Sequence, residues 1–129
     1  MRNFLFLLLL VSGISCTQNA TVQAQSKLGP TEMETLLAKD KSIQLIDVRT
    51  PEEYTAGHIE GARLMDYYEP NFAAQLAKLD KTKPVAVYCA VGGRSGSAAQ
   101  QLSKMGFTKV YDLSGGMRAW RSAGKKTVQ

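Results

Sequence analysis

A single α/β domain, with a parallel β-sheet flanked by helices on both faces, is the fold class this sequence predicts. Three observations predict it. Short apolar, β-branched runs alternate with segments of helical patterning, the rhythm of a parallel sheet with crossover helices. Residues 84–89 (PVAVYC) are apolar at nearly every position, as a strand covered on both faces must be. About 105 residues follow the N-terminal segment, enough for one modest core.

The N-terminal segment reads differently from the rest. Arg2 gives a short positive start, residues 4–11 (FLFLLLLV) are an unbroken apolar run, and small and polar residues follow at once. That order predicts a secretory signal, too short to span a bilayer as a helix. A buried helix would instead be apolar all round, with no cap and no polar face. Gly13-Ile14-Ser15-Cys16 resembles a loose bacterial lipobox without its usual Leu, which makes Cys16 the expected lipidation site. Val22-Gln23-Ala24 offers a competing cleavage point. Residues 1–24 are therefore expected to be signal peptide and disordered polar tether, and residues 28–126 the folded domain. The expected location is the periplasm, with a membrane reached only through a lipid anchor.

Within the domain, Thr31-Glu32-Met33-Glu34 has the form of a capping box and predicts a helix from Thr31 to about Lys39. Residues 43–48 (IQLIDV) have the length and composition of a strand. Thr50 as cap, Pro51 at the first helical position and Glu52 and Glu53 near the positive end predict a second helix, which Gly57 stops. Residues 62–65 fit a short strand, and residues 71–79 an amphipathic helix with Phe72, Leu76 and Leu79 at helical spacing. After the strand at 84–89, residues 95–105 (SGSAAQQLSKM) are helical, with small residues that permit close approach to a sheet, and Gly106 ends the helix. Residues 109–113 (KVYDL) predict a further strand, and residues 117–123 a last short helix before Gly124.

Ligands of such sheets bind beyond the carboxyl ends of the strands. That rule puts residues 47–49, 89–94 and 112–116 at one rim, and only the middle segment carries a nucleophile, Cys89. Once Cys16 is lipidated or removed, Cys89 has no partner for an intramolecular disulfide, so its thiol must be buried or reactive in an oxidising compartment. The sequence that follows it, Ala90-Val91-Gly92-Gly93-Arg94-Ser95, selects the reactive reading. Backbone N–H groups from Ala90 to Ser95, turned inward by positive φ at Gly92 and Gly93, would cradle a thiolate at a helix start and lower its pKa. Arg94, facing the mouth, would bind an anionic substrate in a fork.

The whole chain carries 16 Lys and Arg against 11 Asp and Glu, a net charge of +5, and losing Arg2 with the leader lowers it by one. The basic residues are scattered and not interleaved with aromatics, which excludes a nucleic-acid surface and suits small anions.

Cys89-x-x-Gly92-x-Arg94-Ser95 after an apolar strand resembles the active-site loop of the rhodanese, or sulfurtransferase, family. Asp47-Val48-Arg49-x-Pro51-x-Glu53-Tyr54-x-x-Gly57-His58-Ile59-x-Gly61-Ala62 is similar to the family's N-terminal signature, and Asp112-Leu113-x-Gly115-Gly116-x-x-x-Trp120 to its C-terminal one. The resemblance implies a rhodanese-like domain and a persulfide mechanism. The Cys89 thiolate would take the outer sulfur of a donor such as thiosulfate, with Arg94 and the loop amides holding the departing charge, and pass it to cyanide, a thiol or a protein cysteine. No metal or organic cofactor is implied, and a monomer suffices. Four residues separate Cys89 from Arg94, as in sulfurtransferases; the related dual-specificity phosphatases have a longer loop and a His where Tyr88 stands. Ala90 and Val91 leave Arg94 as the only loop cation, which weakens thiosulfate as the natural donor. The other readings are a sulfur carrier without turnover, an arsenate reductase or phosphatase-like enzyme on the same fold, and an inactive scaffold.

Supporting roles are expected nearby. Asp47 and Arg49 should form an ion pair at the rim, with Asp47 able to tune the thiolate. His58 is read as structural, because a low-pKa thiolate needs no base. Tyr54 and Trp120 are read as packing residues and Asp112 as a turn cap.

Overall fold

Parity along the strands organises the molecule, whose computed structural model describes residues 25–129. The apolar run at residues 4–11, Cys16 and the cleavage point after Ala24 lie outside the described residues. Five strands, β1 (Gln25–Leu28), β2 (Gln44–Asp47), β3 (Arg63–Leu64), β4 (Val85–Tyr88) and β5 (Val110–Leu113), form one parallel sheet in the order β1-β5-β4-β2-β3. Five helices, α1 (Pro30–Lys39), α2 (Pro51–Thr55), α3 (Phe72–Ala77), α4 (Gly93–Lys104) and α5 (Gly116–Ser122), connect and cover them.

Successive side chains of a strand point to opposite faces. Val85, Val87 and Cys89 therefore join Phe72 and Leu76 of α3 and Ala98, Ala99 and Leu102 of α4 in one core. Ala86 and Tyr88 join Met33 of α1 and Met117 and Trp120 of α5 in the other. Helices thus lie on both faces, as predicted. Burying each large apolar side chain stabilises the fold by about 1.5–3 kcal/mol, and the small Ala98 and Ala99 let α4 lie close against β4 and β5.

Two local readings need correction. The helix predicted to start at Thr31 starts at Pro30, with Gly29 as N-cap and no side-chain cap. Proline's fixed φ and missing N–H suit the first helical position, which puts Thr31 inside the helix, where its hydroxyl cannot cap. The capping box forms at Thr50 and Glu53 instead: Thr50 Oγ1 accepts from Glu53 N and Glu53 Oε2 accepts from Thr50 N. β1 was not expected at all. Its sequence QSKL is half exposed at the sheet edge, so it carries no apolar run, and its pairing with β5 from Gln25↔Val110 to Leu28↔Leu113 makes it a strand.

Candidate active site

The loop from β4 to α4 is shaped around Cys89, whose side chain is 1% exposed. Of the two glycines expected at positive φ, Gly92 alone has it, at 118°, as the αL N-cap of α4. Gly93 is already helical, so α4 begins two residues before the predicted Ser95. The Gly92 turn aims its N–H at Cys89 Sγ, 3.0 Å away. Ser95 Oγ lies 3.4 Å from the sulfur and 3.3 Å from Gly92 O, and its proton can turn to the sulfur once that is a thiolate. Burial pushes the Cys89 thiol up, but the Ser95 hydroxyl and the amides of Ser95, Gly92 and Val91 outweigh it and hold the thiol below its ordinary value.

A second set of donors fixes the loop from α5. Met117 N donates to Cys89 O at 2.8 Å and Arg118 N to Ala90 O at 3.0 Å. Gly116, at φ 57°, makes this approach feasible: a Cβ there would stand 2.5 Å from Cys89 O and 2.7 Å from the carbonyl of Ala90. Sequence reasoning placed residues 112–116 at the rim without seeing this role, although the Gly115-Gly116 pair was its signal. Ala90 is half-buried under these contacts, while Val91 is exposed at the tip.

Two carboxylate–guanidinium pairs flank the loop. Asp47 and Arg49 bind each other as expected, with Arg49 Nη2 2.7 Å from Asp47 Oδ2, and the same nitrogen donates to Gly57 O at 2.8 Å. Burial pulls the Arg49 pKa down and Asp47 more than restores it. Asp47 shares its sheet face with its register partner Tyr88, over whose ring the Arg49 guanidinium lies at 5.6 Å. Burial, then the charge of Asp47, pushes the Tyr88 phenol up, while its oxygen accepts from Ile59 N. Alternation thus turns Asp47 to the face opposite Cys89, and tuning of the thiolate by Asp47 finds no direct contact.

Arg94 departs from expectation. Its guanidinium does not stand open to the mouth but forks onto Glu53, with Nη1 2.9 Å from Oε2 and Nη2 3.0 Å from Oε1. The hydrogen bonds from Arg94, helped by those from Thr50 and opposed by burial, bring Glu53 to about 2. Arg94 is raised by the same bonds and by the field of Cys89, so its charge reaches the sulfur even while its hydrogen bonds go elsewhere. Its guanidinium also lies 5.6 Å from the ring of exposed Tyr68, within cation–π range. Glu53 escaped sequence reasoning as a site residue because its partner lies 41 positions away.

Asp112 is not a turn cap. It points to the Cys89 face between Val110 and the start of α4, is buried, and its Oδ1 has no hydrogen-bond partner. Burial pushes its carboxyl up, against weaker opposition from Ser95 and Lys27. His58 is tied into the scaffold: Nδ1 lies 3.0 Å from Tyr54 O, the ring stacks on Tyr54 at 3.7 Å, and its backbone bridges to Val128. Trp120 is buried, with its indole N–H on Lys126 O.

A donor-cradled sulfur whose thiol is held below its ordinary value can, as a thiolate, attack an electrophilic sulfur and then hold the sulfur it has taken. Comparison with known proteins agrees with this chemistry. The Rhodanese-like domain family matches residues 29–123. The chain is 36% identical over 120 residues to the uncharacterized protein YqhL of Bacillus subtilis, spanning 93% of this chain and 94% of that one. It is 34% identical over 96 residues to the thiosulfate sulfurtransferase GlpE of Pseudomonas aeruginosa, spanning 74% of this chain and 84% of that one. Among solved structures it is similar to the rhodanese-related protein of Thermoplasma volcanium, with a TM-score of 0.70 at 26% identity over 79% of this chain and 96% of that one.

Proposed function

This chain belongs to the rhodanese-like domain family, and from that premise we propose that it is an exported, single-domain sulfurtransferase with Cys89 as its nucleophile. The observation that carries the reading is the cradle, in which Gly92 N–H stands 3.0 Å from a sulfur whose thiol is held below its ordinary value. The relative named thiosulfate sulfurtransferase supports a donor of that type.

The Cys89 thiolate attacks the outer sulfur of a sulfane donor such as thiosulfate. A sulfur–sulfur bond forms on Cys89, the donor's own sulfur–sulfur bond breaks, and sulfite leaves with the electron pair. Amides of Val91, Gly92 and Ser95, which hold the thiolate beforehand, then hold the terminal sulfur of the persulfide. Gly93 lends the loop its helical turn and Ala90 its anchorage on α5. Arg94 contributes positive potential and takes the donor's anionic end when its fork on Glu53 opens. Asp47 and Arg49 support the rim. A thiophilic acceptor, cyanide or a thiol, removes the sulfur and regenerates the thiolate.

Export rests on the apolar run at residues 4–11, and anchorage on Cys16. Intact mass measurement of the protein from membranes tests both, by cleavage before Cys16 and an added diacylglyceryl group. The enzyme reading is tested by thiocyanate formation from thiosulfate and cyanide, together with mass detection of an added sulfur on Cys89. Wild type should turn over and Cys89→Ala should not. Absence of turnover in the wild type would sink the small-donor reading, and equal rates would remove Cys89 from the chemistry.

A further inference from the structure

Four guanidiniums gather outside the Cys89 loop, and their partners divide them into two kinds. Arg49 and Arg94 are matched to Asp47 and Glu53. Arg118 and Arg121, both exposed on α5, make no ion pair among the described residues. A groove of about 460 Å³ separates α5 from α2, with Ala90, Val91, Glu53, Arg118 and Arg121 in its wall. Its one carboxylate, Glu53, is already neutralised by Arg94. The groove therefore carries two unmatched positive charges beside the sulfur cradle.

A backbone bond fixes the root of one arginine, and a missing side chain leaves room for the other. Arg118 N–H on Ala90 O pins the start of its side chain to the loop. Arg121 is seated over Gly57, where its Nη2 lies 3.1 Å from the position a Cβ would occupy. Gly57 lacks the side chain that would crowd it.

We propose that this groove receives the sulfur acceptor, a low-molecular-mass thiol bearing a carboxylate, with its anionic end on Arg118 and Arg121 and its sulfur directed to Cys89. The proposal rests on the sulfurtransferase reading. The groove is larger than a thiosulfate ion fills, so it has room for a carbon chain between the charge and the sulfur. The acceptor enters as a thiolate, its proton having gone to solvent. The outer sulfur of the Cys89 persulfide first takes a proton from solvent; the acceptor's sulfur then forms a bond to it, the bond from that sulfur to Cys89 breaks, and Cys89 keeps the electron pair as a thiolate. The product is the acceptor's own persulfide, and no external oxidant or reductant enters.

The test is an acceptor series of equal bulk and different charge: mercaptoacetate, mercaptoethanol and cysteamine. For the Arg118→Gln/Arg121→Gln protein, kcat/KM for mercaptoacetate relative to mercaptoethanol should fall about fivefold, the sum of two exposed charge contacts, while cysteamine gains. Arg118→Lys/Arg121→Lys should restore most of the ratio. A second readout needs no sulfur transfer: the alkylation rate of Cys89 by iodoacetate relative to iodoacetamide should fall in the Gln protein and hold in the Lys protein. An unchanged ratio in both measurements overturns the groove. If no acceptor is turned over, the sulfurtransferase reading falls, and the alkylation ratio alone decides whether the groove selects anions.

Discussion

The Asp47–Arg49 and Glu53–Arg94 pairs are nearly equal in length, 2.7 Å and 2.9 Å, and opposite in setting. The first is almost wholly enclosed, its side chains 0% and 3% exposed, and joins residues two apart in sequence. The second is partly open, at 34% and 18%, and ties α2 to the Cys89 loop across 41 positions. Enclosure makes a pair obligatory, since either charge alone would be stranded away from water. Partial exposure makes a pair exchangeable, because water or an arriving anion can replace one partner. Distance alone would have ranked the two alike; solvent access separates a strut from a latch.

Breaking the enclosed pair should have the largest effect. Asp47→Ala leaves the Arg49 charge buried and should cost about 3–5 kcal/mol, read as a lower urea midpoint; a cost below about 1 kcal/mol would reduce the strut to an ordinary surface contact. Arg94→Ala should do the reverse. Its stability cost should stay within about 1 kcal/mol, while kcat/KM for thiosulfate falls by about a hundredfold for the loss of a charged group beside the reacting sulfur. A large fall in stability with little kinetic change would make this pair a strut too.

Acid sharpens the comparison further. Glu53 is held at about 2, below the ordinary 4.5 of a free glutamate, so its pairing contributes stability above pH 4.5 and loses it as the pH falls towards 2. Carboxyl NMR shifts followed against pH should give Glu53 a midpoint in the low range, and Arg94→Ala should move it upward. Ser95→Ala should have the smallest effect. Cys89 keeps its amide donors but loses the hydroxyl that opposes burial, so the midpoint of its alkylation rate against pH should rise.

Much of this was legible in the chain. The alternation of apolar runs with helical segments gave the parallel sheet, and Cys89-x-x-Gly92-x-Arg94-Ser95 at a strand end gave the sulfur loop. The failures share a cause, which is that local pattern does not report its competitors. Thr31 and Thr50 both satisfy the capping-box spacing, and Pro30 alone displaced the first. β1 has no apolar pattern, because an edge strand of four residues needs only backbone partners. The fork of Arg94 on Glu53 and the burial of Asp112 arise from packing between distant segments, which no spacing rule contains.

The main-chain grip of α5 on the loop has one more consequence. The cradle is held by the Met117 and Arg118 amides on the Cys89 and Ala90 carbonyls, and by the bare Cα of Gly116 pressed against them. None of these contacts uses the side chain of Ala90 or Val91. Those two positions are blank letters in a fixed word: a change of side chain at either leaves each of these main-chain contacts its donor and its acceptor.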